Sequence, residues 1–301
     1  MKAESRRRKD MNKDLGTVVT ALVTDKNEQA YFVQKSGVTY RLAKTEVEAE
    51  LDLGDTIEGF AYESIKKELS FTTNIPKSQV GHFGWGEVVE VRKDLGVFVD
   101  IGLPDKEIVV SLDFLSDIKS LWPKKGDRLM IGLTVDDKDR IWGELADEEL
   151  MRSIARIPQG DDWRNKDVTG TVYRLKMVGT FILTDDYYIG FIHPTEREVE
   201  PRLGEQVNAR VIGVSPHGML NLSLKPRVHE ALEGDAQMIL TLLQRSATQS
   251  LPYYDKSDPD DIRDYFGISK AQFKRALGRL MKEGLIIQED GQTKLKTEGT
   301  K

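Results

Sequence analysis

The stretch GTFILTDDYYIGFIHP, from Gly179 to Pro194, decides how the whole chain is read. Alternating apolar residues on either side of Asp185-Asp186 predict two short strands joined by a turn. Strand alternation puts Phe181 and Leu183 on one face of the first strand, and Phe191 and His193 on one face of the second. Such a hairpin either packs its phenylalanines into a core or presents them to a ligand. The surrounding sequence chooses between these.

The hairpin is one of three. AYFVQ with VTYRL, and GVFVDIG with EIVVSL, repeat the arrangement upstream. Each hairpin follows an opening strand: GTVVTALV from Gly16, WGEVVEVR from Trp85 and GTVYRLKM from Gly170. Each precedes a Gly-acid turn at Gly54, Gly126 or Gly204 that enters another alternating segment, and then a short closing strand: ELSFT, RIWGEL or MLNLSL. Repetition of the same strand order at a similar spacing is the signature of a repeated structural unit. Five short strands with glycine corners predict a small closed barrel of the oligonucleotide-binding type. The units are read as 12–75, 80–146 and 165–226, after a basic tail over 1–11 and with a linker over 147–164.

The third unit resembles the S1 RNA-binding domain. It carries Gly170-Thr-Val, Gly179-Thr-Phe-Ile, Gly190-Phe-Ile-His193, Gly204-Glu and Leu222-Ser-Leu-Lys225 in that family's order. The second unit matches at Gly86-Glu-Val, Gly96-Val-Phe98-Val and Gly126-Asp, with Val110 at the histidine position. The first is more diverged: Tyr31 stands at the phenylalanine position, Tyr40 at the histidine position, and Gln29 where the glycine is expected.

From about Val228 the apolar period lengthens to that of helices. DAQMILTLLQRS reads as an amphipathic helix with Met238, Leu240, Leu242 and Leu243 on its apolar side. Asp258-Pro259 starts a second helix, Gly267 ends it, and Ser269 caps a third. A hairpin follows around Asp290-Gly291. This order, over 229–297, resembles a winged-helix domain. The expected fold is therefore multidomain: three all-β S1-like barrels and a C-terminal α+β winged helix. Over roughly residues 12 to 297 it resembles the conserved virulence factor B family of bacterial RNA-binding regulators. That resemblance implies a cytoplasmic protein that binds single-stranded RNA and adjusts gene expression without catalysis.

Composition is compatible with this. The net charge of −6 supplies no global basic field, so contacts to nucleic acid must come from local patches. The absence of cysteine excludes disulfides and thiolate chemistry. The basic opening MKAESRRRKD lacks a following apolar run and is not read as a secretory signal, and Met11 offers a second reasonable start. No apolar run reaches membrane-spanning length. The histidines at 82, 193, 217 and 229 show no metal-ligand spacing, and neither a metal nor a cofactor is expected. No nucleotide-binding loop or nucleophile elbow appears, and the adjacent acids Asp161-Asp162 and Asp185-Asp186 read as solvated turns.

The candidate RNA-contacting residues are Phe181, Phe191 and His193, with Tyr173 on the opening strand and Lys225 after the closing one. Phe98 is the counterpart in unit two, and Tyr31 and Tyr40 in unit one. Exposed aromatics of this kind stack on bases, whereas buried ones fill a small core. The acids Asp136, Asp137 and Asp139 oppose phosphate near unit two. In the third tail helix, Lys270, Lys274, Arg275, Arg279 and Lys282 form basic stripes suited to nucleic acid or a partner, with Ala271, Phe273, Leu277 and Leu280 facing inward. Single-stranded RNA is the expected partner, and no membrane contact is expected. The rival readings are a winged-helix regulator of duplex DNA and an interaction scaffold for ribosomal or RNA-decay proteins.

Overall fold

The computed structural model describes residues 12–160, 162–226 and 228–296. The basic tail over 1–11, Asp161 of the Asp161-Asp162 pair, and residue 297 lie outside them. The chain divides into two compact units, Met1–Leu224 and Lys225–Lys301.

The first unit holds three closed five-stranded barrels. The first is built from β1 (Thr17–Lys26), β2 (Ala30–Lys35), β3 (Val38–Ala43), β4 (Thr56–Glu63) and β5 (Leu69–Thr72). The second uses β6 (Gly84–Arg92), β7 (Gly96–Asp100), β8 (Ile108–Ser111), β9 (Arg128–Val135) and β10 (Ile141–Leu145). Helix α1 (Glu148–Ile154) precedes the third: β11 (Asp167–Lys176), β12 (Gly179–Thr184), β13 (Ile189–Ile192), β14 (Gln206–Val214) and β15 (Leu220–Ser223). In each barrel the third and fifth strands pair in parallel. The first strand of each pairs with both the second and the fourth, which closes the sheet and leaves no edge exposed.

The repeated Gly-acid turn does the same job three times. The amides of Gly54, Gly126 and Gly204 donate to the carbonyls of Val23, Val88 and Val172 at 2.9, 2.8 and 2.8 Å. Those valines donate back to the carbonyls of Asp55, Asp127 and Glu205. Each glycine has a positive φ, 97°, 90° and 81°, a conformation that other residues adopt only at a cost. Each clasped valine immediately precedes a β-bulge, at Thr24, Val89 and Tyr173, where the first strand bends to pair with two neighbours.

The barrels are joined by packing rather than by bare tethers. Phe60 and Tyr62 of barrel one are buried in barrel two's core cluster, and the Tyr62 hydroxyl donates to Asp105 at 2.9 Å. Between barrels two and three, Arg202 holds both carboxylate oxygens of Asp127, at 3.2 and 3.1 Å, and the Arg128 amide donates to Gly204 O at 2.9 Å.

Of the stretch 147–164, read from sequence as a linker, the described residues 147–160 and 162–164 are ordered on the barrels. Asp147 caps α1 through the Leu150 amide. Met151 is buried with Met130 of barrel two and with Leu183 and Ile189 of barrel three. Trp163 packs edge-on against Tyr188, with ring centroids 4.8 Å apart.

The second unit comprises α2 (Val228–Arg245), β16 (Ser250–Leu251), α3 (Pro259–Phe266), α4 (Lys270–Lys282), β17 (Ile286–Glu289) and β18 (Gln292–Leu295). The strands form a small antiparallel sheet in the order β16-β18-β17. Asp258 caps α3, Gly267 ends it at φ 70°, and Ser269 with Gln272 forms a capping box on α4. The core gathers Ile239, Leu243, Ile262, Phe266, Phe273, Ala276, Leu277 and Leu280. Ala271, expected inside, is exposed, and Ala276 takes the inward position because it falls on the stripe of Phe273, Leu277 and Leu280.

Candidate nucleic-acid interface

Register places the aromatics of barrel three. Phe181 on β12 lies directly opposite Phe191 on β13, and opposite Arg174 on β11. The Phe181 and Phe191 ring centroids are 5.1 Å apart. Tyr173 lies 6.4 Å beyond Phe181, and His193 lies 6.4 Å beyond Phe191. The result is a row, Tyr173–Phe181–Phe191–His193, on the outer face of the barrel. The first three rings are half-buried and His193 is exposed. The sequence reading named Phe181, Phe191 and His193 as candidates without fixing their order across the hairpin. In the structure Phe191 stands between Phe181 and His193 and completes the row.

Leu183 and Ile189 share this outer face but are buried beneath α1. The helix covers one end of the hairpin and leaves the aromatic end open. The Lys176 ammonium sits 5.5 Å from the Phe181 ring centre. Glu148, in the first turn of α1, pairs with Lys176 at 2.5 Å and with Arg174 at 3.6 Å. The hydrogen bond from Lys176 holds the Glu148 carboxyl below its ordinary range. Burial pushes the Tyr173 phenol up to about 12. His193 Nδ1 accepts from the Thr195 amide at 3.2 Å, which orients the ring as it caps the 3-10 turn Pro194–Glu196.

The same register in barrel two places Phe98 opposite Glu90 and Val109, with Trp142 opposite Val109 on β10. Arg92 lies 5.8 Å from the Phe98 ring centre and Arg140 lies 5.3 Å from that of Trp142. Trp142 was missed from sequence, though its place in RIWGEL, beside an arginine on a closing strand, was a readable signal. Asp136 is not a bare acidic rim. Burial opposes its ionisation, but hydrogen bonds from Arg140, Lys138 and Trp142 outweigh that and hold its carboxyl far below the usual range.

Barrel one corrects the sequence reading. Tyr31 is 3% exposed and Tyr40 is fully buried, both in the core cluster. The Tyr31 hydroxyl accepts from the Leu51 amide at 3.1 Å, and the Tyr40 hydroxyl shares hydrogen bonds with Asn12 at 2.8 and 3.0 Å. Neither presents a face to RNA. The residue in register with Phe98 and Phe181 is Phe32, opposite Asp25 and exposed Arg41. The residues at the His193 position are Ala43 and Ser111, which likewise precede 3-10 turns, rather than Tyr40 and Val110. Ala30 takes the place read for the glycine at Gln29.

In the second unit, Lys225 is exposed. On α4, Lys274, Arg275 and Lys282 are exposed; Arg279 pairs with Glu283 at 3.1 Å, and Lys270 approaches the Lys256 carbonyl at 3.5 Å. The basic surface of α4 thus centres on Lys274 and Arg275.

A chain of closed S1-type barrels bearing an outward aromatic row, with a separate winged helix, defines a multidomain S1-barrel protein. The chain belongs to the conserved virulence factor B family. It matches the S1 domain over residues 15–74, the CvfB first S1-like domain over 83–144, the second domain of virulence regulatory factor CvfB over 151–226, and the CvfB-like winged helix domain over 237–295. Conserved virulence factor B of Staphylococcus epidermidis (strain ATCC 12228 / FDA PCI 1200) is 37% identical over 266 residues, 88% of each chain. The uncharacterized protein YitL of Bacillus subtilis (strain 168) is 41% identical over 292 residues, 97% of each chain. A solved structure from Streptococcus pneumoniae TIGR4, described as a multidomain protein with nucleic acid binding domains, is 53% identical, with a TM-score of 0.69 over 95% of this chain and all of that one.

Proposed function

We propose that this chain is a non-enzymatic, cytoplasmic regulator of gene expression that binds single-stranded RNA. Bases stack on Tyr173, Phe181, Phe191 and His193, while the basic face of α4 contributes contacts to the phosphate backbone. The carrying observation is the half-exposed Phe181–Phe191 pair with Lys176 against one ring and His193 beside the other. Stacking on an aromatic ring contributes about 1–3 kcal/mol per base and accepts any base. The family, and the description of the pneumococcal relative, support a nucleic-acid ligand.

The test is fluorescence anisotropy with labelled single-stranded RNA homopolymers and a duplex DNA at two salt concentrations. Micromolar or tighter binding to single strands with a shallow salt dependence is expected, because the net charge is negative and Glu148 already engages Lys176 and Arg174. A salt slope equivalent to about six or more phosphate contacts, or preference for duplex DNA, sinks this reading. Duplex preference would instead favour a winged-helix regulator of DNA.

A second reading applies to barrels one and two. Where barrel three sets Arg174 opposite its stacking phenylalanine, they set Asp25 and Glu90. Acid beside the ring repels phosphate and suits a protein partner from the ribosome or the RNA-decay machinery. Pull-down that survives nuclease treatment is its test.

A further inference from the structure

Beside the aromatic row lies a groove of about 330 Å3, within the ~300–1,000 Å3 of small-ligand sites. It opens between the barrel-two loop 112–123 and β11 of barrel three. Phe114 and Trp122 line one side, Tyr173 and Arg174 the other, and Asp117 also lines it. Its walls are held in register. The Trp122 indole donates to the Ser116 carbonyl at 2.5 Å, which braces the loop, and the Leu203 amide donates to Leu121 O at 3.0 Å, which ties the loop to barrel three.

Tyr173 belongs to both the row and the groove. It is the bulge residue of β11, and bulges re-aim a side chain out of the strand's alternation. The three tyrosines of barrel one, Tyr31, Tyr40 and Tyr62, use their hydroxyls in hydrogen bonds within the protein; among the described residues those of barrel three do not. Among the described residues the Tyr173 hydroxyl has no such partner. Phe114 is 47% exposed, a large apolar ring turned to solvent on the groove wall. The Arg174 side chain is 55% exposed at the boundary with the row. The Asp117 carboxylate repels a phosphate, so the groove's lining suits a base and not the backbone.

The geometry points to a base pocket that continues the row: the groove takes the base of the nucleotide adjacent to those stacked on Phe181 and Phe191. The RNA strand turns at Tyr173, whose ring serves both sites and whose hydroxyl meets the edge of the inserted base. Arg174 meets the phosphate between the two positions. This rests on barrel three binding single-stranded RNA. It adds that the binding site is shared between two barrels, so the fixed barrel-two/barrel-three junction is part of the recognition surface.

The full chain labelled with 5-fluorotryptophan provides the test, with the Trp122 resonance assigned by Trp122→Phe. Single-stranded oligoribonucleotides are lengthened up to about eight nucleotides, within the ~4–16 that such barrels cover. The Trp122 resonance is expected to shift once the strand outgrows the row. Phe114→Ala then weakens binding of the longer strands by ~5-fold or more and leaves the shortest unaffected. Tyr173→Phe weakens the longer strands in the same way, and removing Phe181 and Phe191 together weakens binding at all lengths. RNA that binds and depends on Phe181 and Phe191, while the Trp122 resonance stays still and Phe114→Ala is neutral, overturns the pocket and leaves the stacking row standing. Failure to bind RNA of any length overturns both.

Discussion

Phe181 and Phe191 face each other across β12 and β13 with their ring centroids 5.1 Å apart and their planes inclined by 52°. Two half-exposed rings in this arrangement offer bases an apolar platform that no single ring provides. The neighbouring pair on the same strands, Leu183 and Ile189, is sealed under α1. The hairpin therefore serves as core at one end and surface at the other.

Removing the platform tests its role directly. Phe181→Ala and Phe191→Ala are each expected to weaken single-stranded RNA binding by about 1–3 kcal/mol, with far-ultraviolet circular dichroism unchanged. His193→Ala alone has a smaller effect, since its ring lies at the end of the row. Unaltered affinity in the Phe181→Ala/Phe191→Ala protein places the site elsewhere.

Glu148 pairs with Lys176 and Arg174, so under the proposed function it would compete with RNA for them. Glu148→Gln is expected to tighten RNA binding and to steepen the salt dependence by about one to two phosphate contacts, read by anisotropy across a salt series. Because the folded carboxyl is held low, Glu148 binds its proton less readily folded than unfolded. Its stabilising pair is thus complete above the ordinary glutamate pKa of about 4.3 and is lost as pH falls through the lower folded value. Wild type is expected to be more stable than Glu148→Gln above that window, and the difference should disappear as pH drops through it.

Tyr40 is a core residue, so its substitution is a stability experiment. Tyr40→Ala is expected to cost about 3–5 kcal/mol, and Tyr40→Phe about 1 kcal/mol for the lost bond to Asn12. Urea denaturation measures both. A neutral Tyr40→Ala would contradict its burial.

Arg202 clamps Asp127 across the junction of barrels two and three, and its own pKa is raised by that hydrogen bond. Arg202→Ala leaves a nearly buried carboxylate without its partner and is expected to cost about 1.5–3 kcal/mol. Thermal unfolding reads the loss, and a second, earlier transition would show the barrels separating.

Charge reversal on α4 separates the contribution of the winged helix. Lys274→Glu with Arg275→Glu is expected to weaken RNA binding and to make its salt dependence shallower, with the melting temperature unchanged because both side chains are exposed. Loss of duplex DNA binding without any change for RNA would assign this helix to DNA.

The strands, the barrel corners and the tail helices were legible because their causes are local. Alternation marks a half-buried strand, and a Gly-acid pair marks a turn that needs positive φ, as Gly54, Gly126 and Gly204 show. Asp258-Pro259 and Ser269 mark helix starts through groups their own amides require. Which aromatic faces outward in barrel one was not legible. Tyr31 and Phe32 are adjacent, and a shift of one residue sends every side chain to the opposite face. Only pairing with β1 and β3 selects Phe32 for the surface. Helix α1 is likewise too short to stand alone, and it forms because Met151 is buried between two barrels. Local chemistry in the sequence determined the elements and their order. The tertiary structure decided which rings remain exposed, because exposure depends on what packs against a face, and those partners come from distant parts of the chain.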